Sequence, residues 1–249
     1  NVVFPLTLGR AALCRRLALC FFQRENTPTQ PVKVWLIMNI LFIGTRQSPH
    51  CMRPFHALLA AGHTVALVDT CPEPLTEPVN YTRYQLPIGP AACTRFFSSL
   101  IPHFNADIVH CHWADELVNC CLNATAVPVV VSIWGSDVNQ FVHLAPNGEI
   151  RLDLSSGAQQ FGYYQLMRAF PRAAALIIDD PAMRRKCRFL AGDEPPIHFN
   201  PLGVDSHFFE PVAVGIRHEI RQRLGVGERT PLFLSPRAVT PNYRHDDIL

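Results

Sequence analysis

The 249-residue chain predicts an open, doubly wound α/β domain on a parallel sheet, followed by the opening of a second α/β lobe that is cut short. Three observations carry this. Short apolar runs, the pattern of strands covered on both faces, recur at 39–43, 64–68, 129–133 and 174–178. Helix-length segments alternate with them. The 22 prolines and 13 glycines punctuate the intervals between strand and helix.

Asn39 to Ile43 is the first strand, and Met38 in front of it looks like a natural start. Residues 1–37 mix Arg15 and Arg16 into an apolar stretch too short to span a membrane and too interrupted for a signal peptide. They are read as an extension outside the fold, disordered or non-native. After a loop at 44–49 comes a helical pattern with Phe55, Leu58 and Leu59 on one face, stopped by Gly62. Thr64 to Val68 is a second strand ending at Asp69, which completes a β-α-β unit. Residues 95–104 read as a helix and Asp107 to His112 as a strand; Asp115 is the N-cap of a helix running to Ala124. Val129 to Ile133 is a β-branched strand, and 156–170 a helix with Phe161, Tyr164 and Met167 spaced by three. Ala174 to Ile178 is a strand, Asp180-Pro181 opens a helix, and Ile197 to Asn200 is a last short strand.

The Rossmann-like domain thus covers 38–205. A partly helical connector follows at 206–230, with Ile216 to Leu224 as its helix. Pro231 to Ser235 starts a new buried strand, so that 231–249 is the truncated start of a second domain. One strand and half a helix cannot close a core, and the end at Leu249 is therefore read as a truncation.

Composition narrows the function. With 48% hydrophobic and 17% charged residues and a mean hydropathy of +0.10, the chain can build a core and is not disordered. A net charge of +2 does not suggest a nucleic-acid protein, which usually carries a concentrated basic face. Nine cysteines, an odd number without a C-x-x-C pair, argue against a disulfide framework or zinc site and for a reduced, cytoplasmic protein.

Ligands of an open parallel sheet bind beyond the carboxyl ends of its strands. The loops to watch are therefore Gly44–Pro49, Asp69–Pro72, His112–Asp115 and Trp134–Asp137. The first holds one glycine where a dinucleotide fingerprint needs three, and no Walker A loop occurs. No bound cofactor is expected. In His110-Cys111-His112 the two histidines share one strand face, but no third ligand stands at useful spacing, so no metal is expected either. His110 reads as a core histidine and His112 as facing the crevice. In Trp134-Gly135-Ser136-Asp137 the glycine permits a sharp turn, and Ser136 and Asp137 either cap the next segment or bond sugar hydroxyls. The cluster Arg184-Arg185-Lys186-Cys187-Arg188 is either a solvated helix face or a dock for an anionic membrane surface.

Four stretches, in order, resemble the retaining glycosyltransferases of family 4, which have two Rossmann-like lobes (the GT-B fold). Met38 to Val65 is similar to the family's opening strand, loop and helix with a G-H-x-V turn. Asp107 to His112 resembles its D-hydrophobic-hydrophobic-H-x-H strand. Pro128 to Asp137 resembles its P-V-V-x-[ST]-x-[HW]-G-S-D segment, and Pro201 to Asp205, with Phe208 and Phe209 behind, its lobe junction. Phe233 to Arg237 matches the opening of the family's donor lobe.

The resemblance implies transfer of a sugar, with retention, from a nucleotide diphosphate sugar to a glycan or lipid-linked acceptor. Surface polysaccharide or glycolipid assembly is the implied setting, and peripheral membrane association fits it. It places acceptor-side loops at Gly44, Arg46, Gly135 and Ser136, and donor-binding groups at Gly203, Arg237 and Arg244. Arg237 stands where the family's arginine grips the donor diphosphate, a task suited to a planar, permanently charged fork. Two positions depart from the pattern. Trp134 stands where many members have a histidine, and Asn242 where members often have a lysine, with Arg244 nearby to substitute. The candidates for the catalytic position are Trp134, Asp137 and His112. An indole stacks on a sugar or donates one hydrogen bond but cannot shuttle a proton. Two other readings stay open: a sugar-nucleotide 2-epimerase of the same fold, and a non-catalytic acceptor-binding subunit of a split transferase.

Overall fold

A computed structural model of the chain describes residues 36–74, 78–201, 203, 211 and 213–232. The chain divides into two compact units, Asn1–Leu202 and Gly203–Leu249.

The first unit is built on a seven-stranded sheet of β1 (Asn39–Gly44), β2 (Thr64–Asp69), β3 (Thr82–Gln85), β4 (Ile108–Cys111), β5 (Val129–Ile133), β8 (Ala175–Ile178) and β9 (Ile197–Phe199), in the order β3-β2-β1-β4-β5-β8-β9 with every neighbouring pair parallel. Within it, β1 is flanked by β2 on one side and by the central strand, β4, on the other. Ile43 lies opposite Val68 on one side and Cys111 on the other. The alternation of side chains along β1 sorts the core into two layers. Leu41 and Ile43 join the cluster beneath α2 (Pro90–His103), α3 (Glu116–Ala124), α5 (Gly157–Ala169) and α6 (Met183–Ala191). Ile40 and Phe42 face the other way, toward Cys51, Phe55 and Leu58 of α1 (Pro49–Ala60). The apolar runs of β5 (Val129–Ile133) and β8 (Ala175–Ile178) are explained by the same two-sided burial.

Helix ends follow local chemistry. Gly62 takes φ +88° just after α1, a conformation costly for any residue with a Cβ. Asp115 caps α3 by accepting from the Leu117 amide at 2.8 Å. Ser156 and Gln159 close a capping box on α5.

The structure departs from the sequence-based elements in several places. Edge strand β3 (Thr82–Gln85) has no apolar run because it is half exposed and needs none. The helix expected at 95–104 begins earlier, where Gly89 at φ +91° turns the chain and Pro90 starts the first turn. Asp180-Pro181 does not open its helix; Asp180 bonds the Ala182 amide in a turn, and α6 starts at Met183. A short helix α4 (Ser136–Asn139) and a hairpin of β6 (Val142–Leu144) and β7 (Ile150–Leu152) fill the β5–α5 connection. On α5 the spacing-of-three residues face solvent: Phe161, Tyr164 and Met167 are exposed, while Leu166 and Ala169 turn inward. The last strand, β9, spans Ile197–Phe199.

In the second unit α7 (Val214–Arg223) is the described helix, beginning two residues before the expected 216–224. Arg221 is buried and donates to the carbonyls of Gly227 and Thr230. Residues 1–35 of the expected 1–37 extension, most of the expected lobe junction and the start of the connector (202, 204–210 and 212), and the expected second-lobe strand from Phe233 onward lie outside the described residues. No helix among the described residues is long and apolar enough to cross a membrane.

Candidate active site

The sheet grows from β1 outward to β2 and β3, then restarts on the other side of β1 with β4. The carboxyl ends of β1 and β4 therefore flank the switch point, where departing loops diverge and leave a crevice. A cavity of about 300 Å³ lies there, lined by Gly44, Thr45, Thr70, His112, Trp113 and Asp115 over an apolar floor of Ile43, Cys111 and Leu117. A larger cavity of about 790 Å³, lined by Pro128, Arg172, Ala174, Asp193, Pro196 and other residues, lies at the amino ends of β5, β8 and β9. That is the wrong end of a parallel sheet for its ligand crevice.

Gly44 permits the close approach. A Cβ there would sit 2.2 Å from Cys51 Sγ and 3.4 Å from His112 Cβ. Loops are then tied strand to strand: the Thr70 amide donates to the Gly44 carbonyl and the His112 amide to the Ile43 carbonyl, both at 2.9 Å.

His112, only 1% exposed, lies between the rings of Phe42 and Trp134, with centroids 5.2 and 4.7 Å away. Both its ring nitrogens are buried without a hydrogen-bond partner among the described residues. Burial, and then the neighbouring His110, push its pKa down to about 3, with the His50 backbone opposing. It is therefore a neutral imidazole at physiological pH, one donor and one acceptor. His110 shares that strand face and bonds Ser132 Oγ at 2.8 Å; Cys111 points oppositely, its sulfur 3.9 Å from that of Cys121.

Trp134 is a brace. Its indole N–H donates to the His112 carbonyl at 2.9 Å, so that hydrogen bond is not available to a ligand. Asp137, 3% exposed, accepts from the amides of Trp134 and Ala114 at 3.2 Å, clamping the β5 and β4 loops together. Burial raises its pKa to about 6 against those backbone donors. Gly135 makes the clamp possible with φ +90° and ψ −56°, which a side chain would oppose. Ser136 is exposed at the start of α4.

Arg46 is turned to a structural task. Its guanidinium donates to Asp69 at 2.5 Å and to the Glu73 and Pro74 carbonyls, while Arg83 reaches the same carboxylate at 2.8 Å. Asp69 is fully buried; burial raises its pKa, but the Cys71 amide and the two arginines outweigh this and hold it below the ordinary carboxylate range. With Arg46 engaged there, no lysine or arginine among the described residues lines the 300 Å³ cavity.

The structure thus gathers Gly44 and His112 at the cavity and Trp134, Gly135, Ser136 and Asp137 beside it. Gly203 lies exposed in the second unit, and Arg237 and Arg244 lie outside the described residues. Thr45, Thr70, Trp113 and Asp115 were not singled out from sequence as binding residues. The signal available was positional: all four stand in strand-end loops.

These features define a class: a doubly wound α/β domain whose ligand crevice sits at the β1/β4 switch point and lacks a glycine-rich phosphate loop. Within it, the chain belongs to the glycosyl transferase 4-like family, whose family model matches residues 39–165. A search of curated proteins by sequence gave no match. Among solved structures, sucrose-phosphate synthase from Thermosynechococcus elongatus is similar with a TM-score of 0.56 at 13% identity, over 78% of this chain and 54% of that one. Anabaena HepE in complex with UDP-glucose gives 0.43 at 18% identity, over 76% and 50%. At such identities the likeness is one of fold, and it rests on the synthase. The chain spans about half the length of that synthase chain.

Proposed function

We propose that this chain is the acceptor-side lobe of a glycosyltransferase that moves a sugar, with retention, from a nucleotide diphosphate sugar to a hydroxyl of a glycan or lipid-linked acceptor. The observation that carries this reading is the composition of the switch-point cavity. Thr45 and Thr70 offer hydroxyls, Asp115 a carboxylate and Trp113 a part-exposed indole, with no lysine or arginine among the described residues in the lining. Such a lining suits sugar hydroxyls and an apolar sugar face. It does not suit a diphosphate, whose departing charge needs fixed cations in a water-poor site. In this reading those cations are Arg237 and Arg244, with Gly203 at the lobe junction, and the reaction needs no metal or other cofactor.

The lobe's own part is positioning. Asp137 and Trp134 hold the β4 and β5 loops in register around His112, so that an acceptor hydroxyl meets a pre-formed surface. The protein acts at the cytoplasmic side, in surface polysaccharide or glycolipid assembly.

The test is transfer of radiolabelled sugar from UDP-glucose, UDP-N-acetylglucosamine or GDP-mannose to glycan and lipid extracts by the protein carrying this chain with a donor lobe. A labelled product whose NMR spectrum shows the donor's anomeric configuration supports the reading. Inversion refutes retention. Epimerised UDP-N-acetylglucosamine without transfer would identify a 2-epimerase instead, and acceptor binding without turnover a split subunit.

A further inference from the structure

The proposed transfer reaction leaves one surface unused. α5 and α6 pack against each other on the same side of the sheet. α5 turns Leu166 and Ala169 inward, and Gly162 lies so close to Phe141 that a Cβ would meet that ring at 2.5 Å. The outward stripe is therefore fixed by packing: Phe161 is 56% exposed, Tyr164 61% and Met167 36%, while Phe189 on α6 is 42% exposed. Two phenylalanines, a tyrosine and a methionine in water on adjoining helices are more than the single apolar residues scattered over ordinary surfaces.

The charge carried by the two helices themselves has one sign. α5 carries Arg168, and α6 carries Arg184, Arg185, Lys186 and Arg188; neither helix holds a carboxylate. Lys186 donates to Asn139 Oδ1, and Arg188 to the Gly192 and Pro195 carbonyls. Those partners are neutral, so they orient the cations without cancelling them. Among the described residues no ion pair involves any of the five. The acids nearest to α6 lie off both helices: Asp179 and Asp180 before it, Asp193 and Glu194 after it, and Glu149 beside Gly148, which approaches Arg185; Asp180 is close enough to act on Lys186.

We propose that the α5–α6 face docks on an anionic lipid bilayer, with Phe161, Tyr164, Met167 and Phe189 entering the interfacial layer and the basic side chains meeting lipid phosphates. Aromatic and thioether side chains suit the headgroup boundary, and long basic side chains keep their charge at lipid phosphates while their stems lie along the apolar surface. A second copy fits poorly, because a two-fold interface would set each row of cations against its twin.

The experiment is co-sedimentation of the whole chain with vesicles of phosphatidylcholine, with and without about 30% phosphatidylglycerol, across a salt series. The expected result is binding to the anionic vesicles that weakens with salt. F161S/Y164S and R184E/R185E should each lower partitioning by roughly tenfold or more, with circular dichroism and Tm unchanged. Equal binding to neutral vesicles, or full binding by either variant, would overturn the proposal. So would dimerisation of the lipid-free chain, measured by sedimentation velocity, that F161S/Y164S abolishes. Sugar-transfer activity does not enter this readout, so the docking and the transferase reading fail separately.

Discussion

Gly44→Ala is the sharpest test of how the crevice is built. The added methyl would lie 2.2 Å from Cys51 Sγ, more than an ångström inside the usual contact distance of about 3.5–4.0 Å. Its next neighbours, His112 Cβ and a Phe42 ring carbon at 3.4 Å, are tight but tolerable. The clash is therefore essentially with one sulfur atom, on a fully buried residue of α1 that cannot swing into solvent. Overpacking of this kind costs about 1–3 kcal/mol, and about 2 kcal/mol in a domain of this size lowers Tm by roughly 4–8 °C. Cys51→Ala removes the sulfur and should cost about 1 kcal/mol by itself. The double variant should then be little worse than Cys51→Ala alone, giving a favourable coupling of about 2 kcal/mol in a double-mutant cycle measured by urea unfolding. Additive losses would refute the reasoning, because they would mean that Gly44 is required for its backbone and not for its contact with α1.

Other outcomes follow from the same geometry. Asp69→Asn should destabilise the fold by about 3 kcal/mol at pH 7, since it leaves Arg46 and Arg83 around a neutral group. As the folded pKa of Asp69 is depressed, its contribution is present above about pH 4 and lost as pH falls through the folded value. Acid unfolding of the variant should accordingly show a shallower dependence on pH. Asp137 has the opposite sign: its folded pKa is raised to about 6, so its contribution is complete below about pH 4 and lost as pH rises through about 6. Asp137→Asn should flatten that decline, by about 3 kcal/mol at most, in chemical denaturation between pH 4 and 7. Trp113→Ala should raise the acceptor KM with Tm nearly unchanged, whereas Trp134→Phe should lower stability by about 1 kcal/mol through the lost bond to the His112 carbonyl.

Much of the fold was legible because two-sided burial writes itself as uninterrupted apolar residues. Leu41-Phe42-Ile43 and Val129-Val130-Val131 have nowhere to be but inside a covered parallel sheet, and Asp115 and Gly62 mark helix ends through local hydrogen bonding and backbone freedom. β3 and the β6–β7 hairpin were silent because a half-exposed edge needs no apolar pattern. The spacing of Phe161, Tyr164 and Met167 identified a helix but not which side of it is buried; Gly162 against Phe141 decides that.

By itself, then, the sequence determined the parallel α/β architecture, the family resemblance and the loops where a ligand crevice must lie, since these depend on periodicity and on the topology of parallel strands. Tertiary structure decided what each crevice residue does. Arg46 looked available and is held by Asp69, Trp134 looked like a ligand contact and braces His112, and Asp137 ties two loops together. Those outcomes depend on which strands become neighbours, and spacing along one chain does not encode the distances across a sheet.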